Sequence, residues 1–183
     1  KNNGPAQTNQ ELTGPISKEQ FLFPTLDRKN NKILFFSNQP EPGIYSYSLE
    51  NNATQKILTP LEPPEKITWS PQKKQAALKY VNPQGNINYK ICNLETKKII
   101  PLDSKIIEIN WLANEENMIY QYYVPANKIN NISKATPNFT NWEKIIDIDF
   151  QEGINIIPSQ AKNIIYFPKL TEIGGENIFE LNT

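Results

Sequence analysis

Histidine is absent from this chain, which removes the usual general base, the imidazole of a catalytic triad and the commonest zinc or haem ligand together. What chemistry remains must come from carboxylates, amines, hydroxyls and one thiol. Asp147 and Asp149 stand two residues apart on or just after an apolar run, so they project to one side, as shared proton or cation work requires, with Glu152 close by in sequence. A solubilising pair at a strand end has the same spacing, and Glu115-Glu116 in a short polar turn reads as solvated. Serine and lysine are plentiful, yet there is no Gly-x-Ser-x-Gly elbow, no Walker-type loop and no Gly-x-Gly-x-x-Gly. Cys92, the single cysteine, can form neither an internal disulfide nor a thiolate metal cluster. The residues therefore point to no catalytic group, no metal ligands and no cofactor within these 183 positions.

Charge narrows the partners. Lys plus Arg equals Asp plus Glu, 19 against 19, whereas a nucleic-acid binder needs a basic surplus to displace counterions from phosphates. Lys73-Lys74 and Lys97-Lys98 read as isolated turn and strand-entry charges on a solvated rim. Tyr45 and Tyr47 share one face of a strand, as do Tyr120 and Tyr122 with Tyr123 opposite. That period-two spacing is explained by sheet packing, with a carbohydrate or peptide platform as the functional alternative. Sequons at Asn52, Asn131 and Asn138 are incidental in a chain of bacterial-looking composition.

The elements that hold these residues recur along the chain. Leu26, Trp69, Trp111 and Ile157 each precede a polar turn, at intervals of 43, 42 and 46 residues. The β-rich runs that follow start at Ile33, Ala76, Met118 and Ile164 with the same spacing. Lys56-Ile57-Leu58, Lys98-Ile99-Ile100 and Lys144-Ile145-Ile146 stand 42 and 46 apart, which puts the lengthening of the third unit between Met118 and Lys144. Each unit reads as four short strands; in the second they are Lys66 to Ser70, Gln75 to Val81, Ile87 to Leu94 and Lys97 to Leu102. Trp69 and Trp111, at matched positions, are expected to fill the gap between neighbouring sheets, and Trp142 to sit at a rim. Short charged turns join first to second strands. Longer loops join second to third and carry Pro40, Pro42, Pro83, Pro125 and Pro168, since proline lacks the ladder donor and belongs at strand exits.

Four strands in a period of 40 to 45 residues is the pattern of a β-propeller blade. Ile67-Thr68-Trp69-Ser70-Pro71, a polar turn, an apolar strand, Ile91-Cys92-Asn93-Leu94-Glu95-Thr96 and Lys98-Ile99-Ile100-Pro101-Leu102 resemble the repeat of TolB-type, WD-like bacterial propellers. Tyr47-Ser48-Leu49-Glu50 and Phe179-Glu180-Leu181-Asn182-Thr183 match more loosely, and the terminal Trp-Asp dipeptide of eukaryotic WD repeats is missing. The expected fold is all-β, with blades near 21–61, 65–103, 106–149 and 153–183, the last lacking its outer strand, as a section of a six- to eight-bladed ring or a small closed ring of four. Residues 1–17, rich in Asn, Gln, Thr, Gly and Pro, read as a disordered linker ahead of a partial propeller at 18–183. Because residue 1 is Lys and the only Met is Met118, an anchor or signal peptide is expected upstream. No apolar run is long enough to span a bilayer.

In an antiparallel blade, the loops from second to third strand emerge on the ring face that also carries the connections between blades. Topology therefore nominates Asn38, Gln39, Glu41, Asn82, Gln84, Asn86, Asn127, Lys128, Asp149 and Glu152 as the contact surface. The function expected is a non-catalytic binding module of a bacterial cell-envelope protein, extracytoplasmic, recognising a protein or an envelope polymer. The propeller of a prolyl-oligopeptidase-type serine peptidase, with its catalytic domain elsewhere, is the alternative. A sugar- or lactone-processing propeller would need carboxylates clustered at the ring axis.

Overall fold

The computed structural model describes residues 20–59, 61–113, 117–148, 154, 156–158, 164–170 and 176–182. The stretch read as a linker, residues 1–17, lies outside them, as do Glu115-Glu116, Asp149 and Glu152. The first sheet contains β1 (Leu22–Asp27), β2 (Lys32–Ser37), β3 (Gly43–Ser48) and β4 (Thr54–Leu58). The second contains β5 (Lys66–Trp69), β6 (Gln75–Val81), β7 (Ile87–Asn93) and β8 (Ile99–Pro101). The third contains β9 (Ile106–Trp111), β10 (Met118–Val124), β11 (Ile129–Ala135) and β12 (Glu143–Asp147). β13 (Ile157–Pro158), β14 (Ile164–Leu170) and β15 (Glu176–Asn182) form the fourth. Every sheet is an antiparallel meander in chain order, and the described helix is limited to the 3₁₀ turns Arg28–Asn30 and Pro125–Asn127. This is the four-stranded blade architecture that the sequence period calls for. No helix among the described residues is long and apolar enough to cross a membrane.

Alternation along the second strands packs the blades against each other. Ala76, Leu78 and Tyr80 face the first sheet and join Phe36, Ile44 and Leu58, while Ala77 faces the third with Tyr89, Ile91, Met118 and Tyr120. Ile119 and Ile132 turn the other way, onto Ile154 and Ile156. Alanines at 0–1% exposure let the sheets approach closely, and each fully buried Leu or Ile contributes about 1.5–3 kcal/mol. The first strands lie side by side along the array, β1 against β5, β5 against β9 and β9 against β13, so they form the inner edge. β8 is exposed along its whole length, as an outer strand would be.

The repeat markers keep a common register in three sheets. Leu26 pairs with Ile33, Trp69 with Ala76 and Trp111 with Met118. In the fourth sheet Ile157 pairs with Tyr166, two residues further on than the common interval. Both repeat tryptophans reach back to the preceding sheet: Trp69 Nε1 donates to the Phe23 carbonyl at 2.8 Å and Trp111 Nε1 to the Thr68 carbonyl at 2.9 Å. The equivalent positions are not equally enclosed, since Trp111 is 3% exposed and Trp69 half-buried. Trp142 is 58% exposed, just before β12.

Pro168 departs from the pattern of prolines at strand exits. Pro168 was expected in a loop after the second strand of the fourth unit, but it lies inside β14, opposite Ile178 of β15. β13 pairs only with Ile165 and Tyr166, so at Pro168 the edge of β14 away from β15 has no ladder partner among the described residues. Strands with such an open edge are where proline, which lacks the ladder donor, is tolerated. The lengthening of the third unit goes chiefly into the β11–β12 connection, where Phe139 folds back onto Tyr120 with ring centroids 5.8 Å apart.

Candidate functional site

Of the nominated residues, Asn38, Gln39 and Glu41 lie on the β2–β3 connection, Asn82, Gln84 and Asn86 on the β6–β7 connection and Asn127 and Lys128 on the β10–β11 connection, and several of them serve the backbone first. The Asn82 side chain accepts from the Gln84 and Asn86 amides at 3.0 and 2.9 Å, and Gly85 N–H returns to the Asn82 carbonyl at 2.9 Å. Asn82 is thus the clamp of a tight turn, an Asx arrangement that short polar side chains favour. Gly85 sits at φ +82, the conformation that turn needs. Gln84 and Asn86 are exposed on its outside.

The first sheet's loop is built differently. Ser37 Oγ donates to the Gln39 carbonyl at 2.8 Å and accepts from its amide at 3.1 Å; the Gln39–Pro40 peptide is cis. Tyr45 donates its hydroxyl to the Glu41 carbonyl at 2.6 Å. The Glu41 carboxylate is held below its ordinary range, first by a hydrogen bond from Thr59 and then by Lys56, whose Nζ lies 3.3 Å away. Asn38 and Gln39 are exposed. In the third sheet Asn127 and Lys128 form the exposed tip after Val124, and Lys128 takes the left-handed conformation that closes the turn.

Connections between blades lie at the same end, as expected from topology. Leu61 of the β4–β5 link donates to the Pro42 carbonyl at 2.8 Å, and Leu102 of the β8–β9 link to the Tyr89 carbonyl at 2.9 Å. Two of the nominated residues, Asn82 and Asn86, are brought together with Asn88, Ser104, Ile107 and Tyr123 around a cleft of about 580 Å³ between the second and third blades. Asn88, Ser104 and Tyr123 were not nominated. Their signal was available in the placement of Ser104 on an inter-blade link and of Tyr123 at the end of a second strand, both on the loop side. Asn38, Gln39, Glu41, Asn127 and Lys128 do not line this cleft.

Chemically the cleft offers amides, hydroxyls and one aromatic ring, with no carboxylate, amine or thiol among its lining residues. The Ser104 hydroxyl has no base in this lining, and a serine without one is a poor nucleophile. Such a surface can donate and accept hydrogen bonds and stack, which is recognition chemistry. The carboxylate pair weighed from sequence is only half described: Asp147 is exposed and bonds Lys144 at 2.7 Å. No group of three or more potential ligands for a metal occurs among the described residues.

One buried ionic contact went unnoticed in the sequence. Glu108 on β9 is 8% exposed; it accepts from Lys66 Nζ of β5 at 3.3 Å and from the Tyr89 hydroxyl of β7 at 3.3 Å. Burial, then the charge of Glu108, raises the Tyr89 phenol well above its ordinary value. With a cation and a phenol satisfying it, this carboxylate ties the second blade to the third. Of the tyrosines considered as a platform, Tyr45 and Tyr47 pack with Phe35 and Phe21, whose rings stack at 4.0 Å, and Tyr120 is 1% exposed, whereas Tyr122 and Tyr123 are half-buried and Tyr123 lines the cleft.

No protein-family model and no curated protein sequence matches the chain. Solved structures do. The chain is similar to the β-propeller domain of the trilobed protease from Pyrococcus furiosus, with TM-score 0.55 and 14% identity over 91% of this chain and 56% of that one. It is similar to an acylaminoacyl peptidase from Pyrococcus horikoshii, with TM-score 0.62 and 11% identity over 86% of this chain and 30% of that one. A putative TolB from Agrobacterium tumefaciens gives TM-score 0.50 and 11% identity over 75% and 49%. At these identities the likeness establishes the propeller fold, and the chain spans about half the length of the TolB and trilobed-protease chains.

Proposed function

We propose that these propeller blades form a non-catalytic recognition module of a bacterial cell-envelope protein, one section of a ring of six to eight blades. The observation that carries this reading is the 580 Å³ cleft on the loop side, whose lining offers hydrogen-bonding side chains without any acid, base or thiol. Rigid sheets hold these short loops in place, which favours binding surfaces of defined shape. Its ligand is a protein segment or an envelope polymer rich in amide or hydroxyl groups. The envelope setting rests on the resemblance to TolB-type repeats and on the polar opening stretch.

The test is site-specific photo-crosslinking in the native cell, with the probe at Gln84 or Asn86 and, as a control, at the exposed Asn141 on the β11–β12 connection of the third blade. Adducts from the two loop-side positions and none from the control are expected; adducts from the control alone would reverse the assignment of the face. The similarity to an acylaminoacyl peptidase supports a second reading, in which the blades shield the catalytic domain of a serine peptidase. A downstream α/β-hydrolase segment in the full-length gene would select it.

A further inference from the structure

The turns at the end opposite the loop side bring together charges that are scattered in the sequence. A cleft of about 770 Å³ opens between the first and second blades, lined from β1, the following turn and β2, from β4, and from the β5–β6 and β7–β8 turns. Arg28, Lys29 and Lys32 stand on one side and Lys73, Lys74 and Lys97 on the other, with Lys56 contributed by β4. The lining carboxylates are Asp27 and Glu95 alone, so a chain of zero net charge concentrates seven cations against two anions here. The lysines read from sequence as separate rim charges thus form part of one patch.

Three of the seven cations, Arg28, Lys29 and Lys97, are available for a partner. Asp27 is 4% exposed and is occupied by its own turn, accepting from the Asn30 amide and side chain at 3.3 and 2.7 Å and facing Lys32 at 3.9 Å. Glu95 pairs with Lys74 at 3.3 Å, and Lys56 with Glu41 outside the cleft. Arg28, Lys29 and Lys97 are exposed and form no salt bridge among the described residues. Between the cations the wall is aliphatic: Leu26 is 46% exposed, with Ile57 and Leu94 half-buried behind it.

We infer that this inter-blade cleft binds an acidic peptide segment carrying aliphatic side chains. Two features choose that occupant. The cations are spread around the rim on mobile side chains, which suits a series of carboxylates along an extended chain better than a single small anion, whose cradle needs converging buried donors. The lining contains no Trp, Tyr or Phe on which bases could stack, and single-stranded nucleic-acid sites depend on such platforms. The exposed Leu26 gives an aliphatic side chain of the peptide a place to bury. Nothing in this inference depends on the loop-side reading.

The test is fluorescence anisotropy on the full chain with a labelled peptide of glutamates carrying leucine at every third position, beside its lysine counterpart, labelled oligo(dT) and unlabelled inorganic phosphate. Saturable binding of the acidic peptide is expected, weakening as salt rises from about 0.05 M to about 0.3 M. The combined Arg28→Glu, Lys29→Glu and Lys97→Glu variant should bind at least about tenfold more weakly. A Lys105→Glu, Lys134→Glu, Lys144→Glu variant carries the same change in net charge on the third blade and the link leading into it, and should bind as the parent does. Circular dichroism of both variants establishes that each is folded. The inference is overturned by absence of saturable binding, by equal losses in the two variants, by oligo(dT) binding as tightly as the peptide, or by phosphate displacing the peptide beyond its effect on ionic strength.

Discussion

Replacing Trp111 by Phe isolates what the repeat tryptophan does between blades. The indole N–H bond to the Thr68 carbonyl disappears, which at the net value of a protein hydrogen bond removes about 0.5–1.5 kcal/mol. The smaller ring also leaves on the order of 50 Å² of apolar contact unfilled in a site only 3% exposed, about 1.2 kcal/mol at ~25 cal/mol per Å². The expected loss is therefore about 1.7–2.7 kcal/mol. Trp69→Phe breaks the equivalent bond to Phe23, but from a half-buried position, so its loss should stay near the hydrogen-bond share, about 1 kcal/mol. Urea unfolding followed by far-UV circular dichroism measures both without relying on tryptophan fluorescence. Equal losses at the two sites, or a loss at Trp111 below about 0.5 kcal/mol, would refute the claim that the indole is a buried tie between sheets.

Gly43→Ala and Gly85→Ala separate two reasons for glycine. A Cβ at Gly43 would collide with the Thr59 side chain and the Leu58 carbonyl, for a loss of about 1–3 kcal/mol, whereas Gly85 has open space and φ +82, for about 1–2 kcal/mol from strain alone; replacing Thr59 by Ala should relieve part of the first, the carbonyl clash remaining, and none of the second. Tyr80→Phe should leave the thermal midpoint unchanged or raise it, because the Tyr80 hydroxyl is buried with no hydrogen-bond partner among the described residues and its removal ends a desolvation penalty of up to about 1 kcal/mol. Burial pushes the Cys92 thiol from its ordinary 9.0 up to about 12. The native state therefore keeps that proton while the unfolded chain loses it, so stability is full below about pH 9 and falls by about 1.4 kcal/mol per pH unit as pH rises toward 12. Urea midpoints taken across that window should fall less steeply for Cys92→Ala than for the parent, and identical slopes would remove Cys92 from the account.

Strand positions and blade period were legible because they are local. Period-two alternation at Ala76 to Tyr80, proline at the exits of β2, β6 and β10, and Trp69 and Trp111 at matched places each depend on a few adjacent residues and on sterics that every blade repeats. Pro168 shows the limit of that logic. The rule that keeps proline out of a strand is a rule about a ladder partner, and whether β14 has one at that point is decided by how far β13 extends.

The candidate sites were legible only in part, because they are made by register between blades. Asn82 and Asn86 could be nominated from loop topology, yet their neighbours Ser104 and Tyr123 enter the cleft from the next blade. The basic cleft is the sharper case. Arg28 and Lys97 lie far apart along the chain and face one space only because the β1–β2 and β7–β8 turns emerge at the same end of adjacent sheets. A residue count finds a neutral protein and a window scan finds two short lysine pairs. The physical quantity that governs binding is the potential in the cleft, where separate charges act within about a Debye length of one another. In a blade array that potential repeats with the turns, so the equivalent turns of the second and third blades form an internal comparison. The cleft lined by Lys98, Ile100, Thr136 and Thr140 between them has no arginine and no second lysine in its lining, and so gives the same fold without the basic concentration. If acidic peptide binding follows the charge of the turns and not the propeller scaffold, placing arginine at Thr136 and Thr140 should create weak binding at that second cleft in the chain already reversed at Arg28, Lys29 and Lys97. Binding that returns there would establish turn charge as sufficient; a folded variant that stays silent would mean that the Leu26 wall is also required.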